Sequence, residues 1–207
     1  PWNGKGVSLL FQDMYDEAIE AYDEAIRLDP KYAEPWNGKG NARSRQGNYS
    51  GAVQDYEEAI RLGPEDAFFW NNKGMALAEQ GNYTEAILAY DEAISLNPEW
   101  AAFVWDNKGD ALYYQGKYNE AILAYDEAIR LDPWSIYSYN NRGYALLELK
   151  RYSEADAAFA DTGRDTTCDG DVLRKYEVTD DTWMEVGTYE EGRGFRVYTI
   201  LDAGIID

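Results

Sequence analysis

The sequence predicts an all-α solenoid of helix-turn-helix repeats, followed by a small C-terminal segment rich in β-strands. Within residues 1–162, a Trp or Tyr followed four residues later by Gly occurs five times, at start-to-start spacings of 34, 34, 35 and 34 residues. Sixteen residues after each aromatic stands an Ala, and twenty after it another aromatic. A fixed period of this length is typical of repeats that bury their apolar faces by stacking on their neighbours. The copies are Trp2/Gly6, Trp36/Gly40, Trp70/Gly74, Trp105/Gly109 and Tyr139/Gly143.

Each repeat is predicted to be an antiparallel pair of helices, here called A and B. In the unit 34–63, Pro35 fits the first turn of helix A, where its missing N–H costs nothing. Gly47 ends helix A, and the apolar spacing over Tyr49–Leu62 is helical and forms helix B. Gly63 and the proline after it then stop helix B.

Two kinds of residue recur at fixed places in the repeat. When the repeated Trp or Tyr is numbered position 4, Gly falls at position 8, Ala at position 20 and an aromatic at position 24. We expect helices A and B to approach closely at the small residues, and the aromatics at positions 4 and 24 to fill space between neighbouring repeats. These residues are therefore expected to form the core.

This period and these signature positions resemble the tetratricopeptide repeat family over residues 1 to about 162. The resemblance implies a right-handed α-solenoid whose A helices line a concave groove that holds a partner's peptide or helix. The family usually has Leu at position 7, where this chain has Lys or Arg, a variant that resembles arrays of archaea and cyanobacteria. The stems of these cations can lie on apolar surface while their charged ends reach water or nearby acids. The predicted repeats are 1–32, 33–66, 67–101, 102–135 and 136–162.

The family's groove positions, the second, fifth, ninth, twelfth and thirteenth, carry amides, acids and aromatics in this chain. Side-chain amides can hydrogen-bond an extended backbone, and tyrosines supply contact area. The Lys with which some relatives clamp a C-terminal carboxylate is absent, so that mode of binding is not expected. A second interpretation is that the amides reflect shared repeat ancestry without a dedicated ligand. The candidate partner-binding residues are Asn37, Asn41, Asn71, Met75, Asp106, Asp110, Tyr113, Tyr114, Asn140 and Tyr144.

The charge of the chain limits the class of partner. With 39 acidic and 19 basic residues and no His, the net charge is −20. Nucleic acids and anionic membranes require clustered Lys and Arg, so neither is an expected partner, whereas a basic or neutral protein is. The alternative is that the acids are only the solvated faces of helices. No run of 18 apolar residues occurs, so membrane insertion is not expected.

No catalytic group of residues is recognisable. Without His, the lone Cys168 has no imidazole to activate it, and no nucleotide-binding motif is present. A stretch from Asp165 to Gly170 is similar to a calcium loop, but Tyr176 occupies the place of the required Glu. The chain is therefore predicted to be no enzyme and to bind no cofactor or metal.

Residues 163–207 break the repeat pattern and are predicted to form a loop followed by a small β-meander. The strand-like stretches are Val172–Val178, Thr182–Tyr189 and Phe195–Leu201. About 45 residues cannot readily bury a core alone. We therefore expect this tail to pack on the last repeat or on a neighbouring subunit.

Two functions follow from the sequence. The first is a non-enzymatic scaffold that binds a protein or peptide in the helix-A groove. The second is a structural subunit that assembles head-to-tail with other copies into an extracellular fibre or surface layer. Glycosylation sequons at Asn48 and Asn82 would suit the second function, so a cytoplasmic and an extracellular location both stay open. The residues expected to accept a neighbouring copy are Trp2, Val7, Leu10 and Phe11.

Overall fold

The computed structural model describes residues 1–99 and 101–161, and the backbone of residues 174–179, 183–190, 194–201 and 204–206. The chain forms two compact units, Pro1–Lys117 and Tyr118–Asp207. The helices are α1 Trp2–Leu10, α2 Tyr15–Leu28, α3 Ala33–Arg45, α4 Tyr49–Leu62, α5 Ala67–Glu79, α6 Tyr83–Leu96, α7 Ala102–Tyr114, α8 Tyr118–Leu131, α9 Ile136–Glu148 and α10 Tyr152–Asp161. The strands are β1 Arg174–Thr179, β2 Trp183–Glu190, β3 Gly194–Leu201 and β4 Gly204–Ile206.

The predicted all-α array of helix pairs is confirmed, with odd-numbered helices as A and even-numbered helices as B. Helix α4 has the bounds that the sequence predicts, and Gly63 is its C-cap. In each of the five repeats, the residue at position 15, in the turn between A and B, has a positive φ, and in three repeats this residue is a glycine. This left-handed conformation costs a glycine no Cβ clash, which explains why Gly47 (φ 77°) ends α3. The five residues are Asp13, Gly47, Gly81, Gly116 and Lys150.

The aromatic at position 24 occupies the space left by glycines. Tyr22 is fully buried, and a Cβ added at Gly6 of the same repeat would lie 2.6 Å from its ring. A Cβ at Gly38, in helix A of the next repeat, would lie 2.5 Å from the same ring. The position-8 glycine thus receives a ring from helix B, and that ring also fills the junction with the following repeat, as expected.

Three apolar clusters described in the first unit join helix B of one repeat to helix A of the next. Ala18 and Tyr22 of α2 pack with Ala42 of α3, and the same arrangement recurs one repeat later. Because the buried area lies at the junctions, a single helix pair has no complete core of its own. Stacking is therefore what stabilises the repeats.

Polar contacts add a second set of bonds at these junctions. The cation at position 7 pairs with the acid at position 25 of the preceding repeat, as between Lys39 Nζ and Asp23 Oδ1 at 2.6 Å. The same Lys39 lies over the ring of Trp36, 5.5 Å from its centroid. The equivalent ion pairs are Lys73–Glu57, Lys108–Asp91 and, in the second unit, Arg142–Asp126. A Gln at position 14 also donates to position 18 of the preceding repeat, as from Gln115 Nε2 to Thr84 Oγ1 at 2.9 Å.

The four strands pair antiparallel in the order β1-β2-β3-β4. The three longest overlap the stretches that the sequence predicts as strands, and Gly187 of β2 pairs with Val197 of β3. Docking of this sheet on a repeat or on another subunit stays a prediction. The extra residue of the 35-residue spacing falls within residues 100–104, of which Trp100 lies outside the described residues, while Ala101 is fully buried and is the N-cap of α7. The calcium-like stretch at 165–170 also lies outside the described residues. In the part of the chain that was searched for membrane spans, no helix has the length and apolar character to cross a bilayer.

Candidate partner-binding surface

A pocket of about 500 Å³ opens between α5, α6 and α7 in the first unit. Its walls come mainly from positions 9, 12 and 13 of the two A helices, and these are among the positions predicted to line the groove. The first residue of α6, Tyr83, closes one side. The lining residues are Met75, Ala78, Glu79, Tyr83, Tyr90, Asn107, Asp110, Ala111 and Tyr114.

Aromatic contacts hold the most exposed tyrosine of this pocket in place. The rings of Tyr83 and Tyr114 stack with centroids 5.5 Å apart and an interplanar angle of 17°. Tyr113 meets Tyr114 edge-on at 5.7 Å. Tyr114 nevertheless remains 68% exposed, and Met75 on α5 is 47% exposed. The stacked rings are held in place and can be buried by a partner at little conformational cost, and the flexible Met75 side chain can adapt to the partner's shape.

The charged residues in the pocket wall are both acids. Asp110 precedes Tyr114 by four residues on α7, and Met75 precedes Glu79 by four residues on α5, so each helix presents two neighbouring side chains to the pocket. Among the described residues that line the pocket, none is Lys or Arg. Across the residues searched, no group of three His, Cys, Asp or Glu side chains is placed to hold a metal ion.

Asparagines at positions 5 and 6 of the A helices, here called the amide ladder, bond one repeat to the next. Asn72 Nδ2 donates to Asn37 Oδ1 at 2.9 Å, and Asn107 Nδ2 donates to Asn71 Oδ1 at 3.2 Å. Asn71 is only 4% exposed, and Asp106, the residue at the same position one repeat later, is 7% exposed. Both residues therefore offer a partner little area, and the bonds from Asn72 and Asn107 join neighbouring A helices.

The remaining candidate groove residues are partly covered. Asn41 Oδ1 accepts a hydrogen bond of 2.8 Å from the hydroxyl of Tyr56. In the second unit Asn140 and Tyr144 are half-buried, and Tyr144 meets Phe159 edge-on at 5.6 Å. Among the predicted residues, the structure therefore brings Met75, Asp110 and Tyr114 together in one pocket, with Tyr113 against the ring of Tyr114.

The residues proposed for self-assembly divide into two groups. Phe11, Trp2 and Val7 of the first repeat are 85%, 37% and 39% exposed. Leu10 instead packs against the buried cluster around Tyr22, so it offers a neighbouring copy less area than expected.

The two sequon asparagines stand at the N-caps of helices α4 and α6. Asn48 is exposed, and its side-chain oxygen accepts a hydrogen bond of 3.1 Å from the Gly51 amide. Asn82 is half-buried and makes no side-chain capping bond. Glycosylation of either residue stays a prediction.

The sequence analysis did not include Tyr83, because the family's groove positions lie on the A helices and Tyr83 is the first residue of a B helix. The signal was present, since position 17, the first residue of helix B, is Tyr in all five repeats. Position 13 varies from repeat to repeat, and Tyr114 is the only tyrosine found there. The stacked pair therefore forms where the tyrosine at position 17 contacts a tyrosine at position 13 of the next repeat. The position-17 residues are Tyr15, Tyr49, Tyr83, Tyr118 and Tyr152.

Comparisons with known proteins agree with this architecture. The profile described as "Tetratricopeptide repeat" matches residues 3–67 and 37–99, and one described as "TPR repeat" matches residues 109–150. No curated protein matches the chain significantly in sequence.

Among solved structures, a crystal structure of MamA is 25% identical, with a TM-score of 0.71 over 76% of this chain and 91% of that one. MamA from Desulfovibrio magneticus RS-1 is 20% identical, with a TM-score of 0.74 over 81% of this chain and 96% of that one. YrrB, described as a TPR protein with an unusual peptide-binding site, is 22% identical, with a TM-score of 0.66 over 78% of this chain and 83% of that one. The matched profiles span most of the helix pairs, and this chain belongs to the tetratricopeptide repeat family.

Proposed function

We propose that this chain is a non-enzymatic scaffold that binds an extended segment of a partner protein on the helix-A surface of α5 and α7. One observation carries the proposal, namely the open pocket in which Tyr114 and Met75 are held in place yet left exposed. Aromatic side chains anchored by their neighbours are typical of the few residues that supply most of the affinity at an interface.

Further support comes from the rigidity of the surface around the pocket. Asparagine bonds join α5 to α3 and α7 to α5, and ion pairs join α5 to α4 and α7 to α6, so little order has to be gained on binding. YrrB, which shares the fold, is described as having a peptide-binding site. A protein-interaction scaffold is accordingly the function that suits both the fold and the surface.

The experiment is a display selection of random 12-residue peptides against the full chain, followed by affinity measurements with fluorescently labelled peptides. We expect Tyr114→Ala to weaken binding of the selected peptides by about tenfold or more, because it removes an anchoring ring. Tyr113→Ala and, in the second unit, Tyr144→Ala extend the test along the predicted groove.

Leu88→Ala is the matched control, because Leu88 is 61% exposed on helix α6 and does not line the pocket. Circular dichroism would check that each variant keeps its helices. If the selection gives no peptides, or if Tyr114→Ala and Leu88→Ala bind the selected peptides equally well, the proposal is wrong.

Self-assembly is the second candidate function, and the 85% exposure of Phe11 favours it. One feature limits its geometry. Position 25 carries an acid in the first four repeats but Ala160 in the fifth, so a neighbouring copy stacked there like a further repeat would find no carboxylate for its Lys5. Light scattering across protein concentration, with and without Phe11→Ser, tests this function. Particles that stay near 23.6 kDa at every concentration would exclude it.

A further inference from the structure

The pocket between α5, α6 and α7 combines two features that favour a cationic side chain. The first is the face of an exposed ring, Tyr114, backed by the stacked ring of Tyr83. The second is a pair of carboxylates, Glu79 and Asp110, in a wall whose described side chains include no basic residue. Aromatic faces attract cations, and carboxylates bind them by charge-assisted hydrogen bonds.

The arrangement suits a guanidinium better than an ammonium. A planar guanidinium stacks on a ring and still directs N–H groups outward, in its own plane, towards carboxylates. Asp110 lies one helical turn before Tyr114, and Glu79 faces the same pocket from α5. Met75, Ala78 and Ala111 supply apolar surface for the three methylene groups of an Arg side chain.

The first repeat junction gives an internal precedent for this chemistry. There position 13 of the following repeat is Arg45, and position 17 of the first repeat is Tyr15. The hydrogen bond to Asp13 raises the pKa of the Tyr15 hydroxyl, and the positive charge of Arg45 acts in the opposite direction. A guanidinium thus already lies near a position-17 tyrosine in this chain. At the α5–α7 junction the place of Arg45 is taken by Tyr114, and the described residues that line the pocket include no Lys or Arg.

We propose that this pocket binds an Arg side chain of the partner's extended segment, and that the partner is therefore basic around this residue. The inference rests on the proposed function, because it names the chemistry of the segment that the helix-A surface holds. The net charge of −20 on the chain favours such a segment over an acidic or neutral one.

The test uses the peptides selected against the full chain. We expect an Arg to recur in them, and its replacement by citrulline, which keeps the shape but loses the charge, to weaken binding by about tenfold. Replacement by Lys is expected to weaken binding by about threefold, since an ammonium cannot both stack and pair bidentately. In Glu79→Gln and in Glu79→Gln/Asp110→Asn, the Arg and citrulline peptides should bind with similar affinity.

Glu92→Gln is the charge-matched control, because it removes one negative charge from α6 outside the pocket and should keep the full preference for Arg. Glu79 is exposed, so its single variant stays informative even if the double variant folds poorly. Selected peptides that need Tyr114 but bind equally well with citrulline would overturn this inference and leave the proposed function standing. Peptides that are insensitive to Tyr114→Ala would overturn both.

Discussion

At the scale of single residues, the second repeat differs from the others by a buried ion pair. Arg43 Nη1 lies 2.9 Å from Asp55 Oδ2 and also donates to the Gly51 carbonyl at 3.3 Å. The other repeats have Leu where Arg43 stands and Ala where Asp55 stands. Gly51 makes room for the pair, since a Cβ there would lie 3.1 Å from Arg43 Cδ. The apolar pairs are Leu9/Ala21, Leu77/Ala89, Leu112/Ala124 and Leu146/Ala158.

The Leu and Ala that the other repeats carry in place of Arg43 and Asp55 allow the energetic effect of this ion pair to be tested. Asp55→Ala alone leaves a half-buried guanidinium without its carboxylate, and we expect it to lower the free energy of unfolding by about 3 kcal/mol. Arg43→Leu/Asp55→Ala introduces the residues that repeat three has at these positions. We expect its free energy of unfolding to equal that of the parent or to exceed it by about 1–3 kcal/mol. Urea unfolding of the three proteins, followed by circular dichroism, measures both changes. A double variant as unstable as the single one would show that the pair itself is stabilising.

The carboxyl group of Asp55 also makes the stability of the folded protein depend on pH. Burial is the main cause that raises the pKa of Asp55, from 3.8 to about 6, against the opposing charges of Lys39 and Arg43, while the Asp23 carboxylate acts with burial. A raised pKa in the folded state means that the folded protein binds the proton more tightly than the unfolded chain. The contribution of this proton binding to the stability of the folded protein is therefore complete below pH 3.8 and is lost as the pH rises through about 6.

We therefore expect the stability of the parent, measured relative to Asp55→Asn, to fall by roughly 1 kcal/mol between pH 5 and pH 7. Asn cannot titrate, so subtracting the variant removes the pH dependence of the other acids. Urea midpoints at intervals of half a pH unit give the difference. A difference that stays constant over this range would show that the pKa of Asp55 is unshifted.

At the scale of the elements, the contact between glycine and ring controls how closely helices A and B pair. A Cβ at Gly74 would lie 2.5 Å from the Tyr90 ring, whereas a Cβ at Gly4 in α1 would have no atom within 4 Å. We expect Gly74→Ala to destabilise the protein by about 1–3 kcal/mol through overpacking. Gly4→Ala should stabilise it by about 0.5–1 kcal/mol, because Ala favours the helix. Thermal unfolding of the two variants measures the contrast, and changes of the same sign in both would contradict this assignment.

Repetition explains which elements could be predicted from the sequence. The bounds of α4 follow from residues such as Tyr49 that recur in every repeat, and the turn at Gly47 follows from a glycine that three of the five repeats share. The Tyr83–Tyr114 stack and the Arg43–Asp55 pair each occur at a single place. Such contacts depend on which side chains meet between two helices, and a repeat pattern does not contain that information.

The amide ladder shows a second reason why prediction of the site was incomplete. The family's groove positions correctly indicated that the amides lie on the A helices. They could not indicate that Asn72 and Asn107 would bond to the preceding repeat and leave Asn71 buried. A side chain with both donors and acceptors suits a partner's backbone and a neighbouring amide equally well. Only packing at the junction decides between the two.

At the scale of the whole molecule, the excess of acids over bases gives the proposed function a dependence on salt. Ionic screening shortens the range of exposed charges from about 10 Å at 0.1 M to about 3 Å at 1 M salt. We expect the dissociation constant of an Arg-containing selected peptide to rise by about three- to tenfold between 0.05 and 0.5 M NaCl. The citrulline form of the same peptide lacks that charge and should change by less than about twofold if its other residues are neutral. Fluorescence anisotropy titrations of both peptides at several salt concentrations give the slope of the dissociation constant against salt for each. Equal slopes would mean that shape rather than charge selects the residue in the pocket of Glu79 and Asp110.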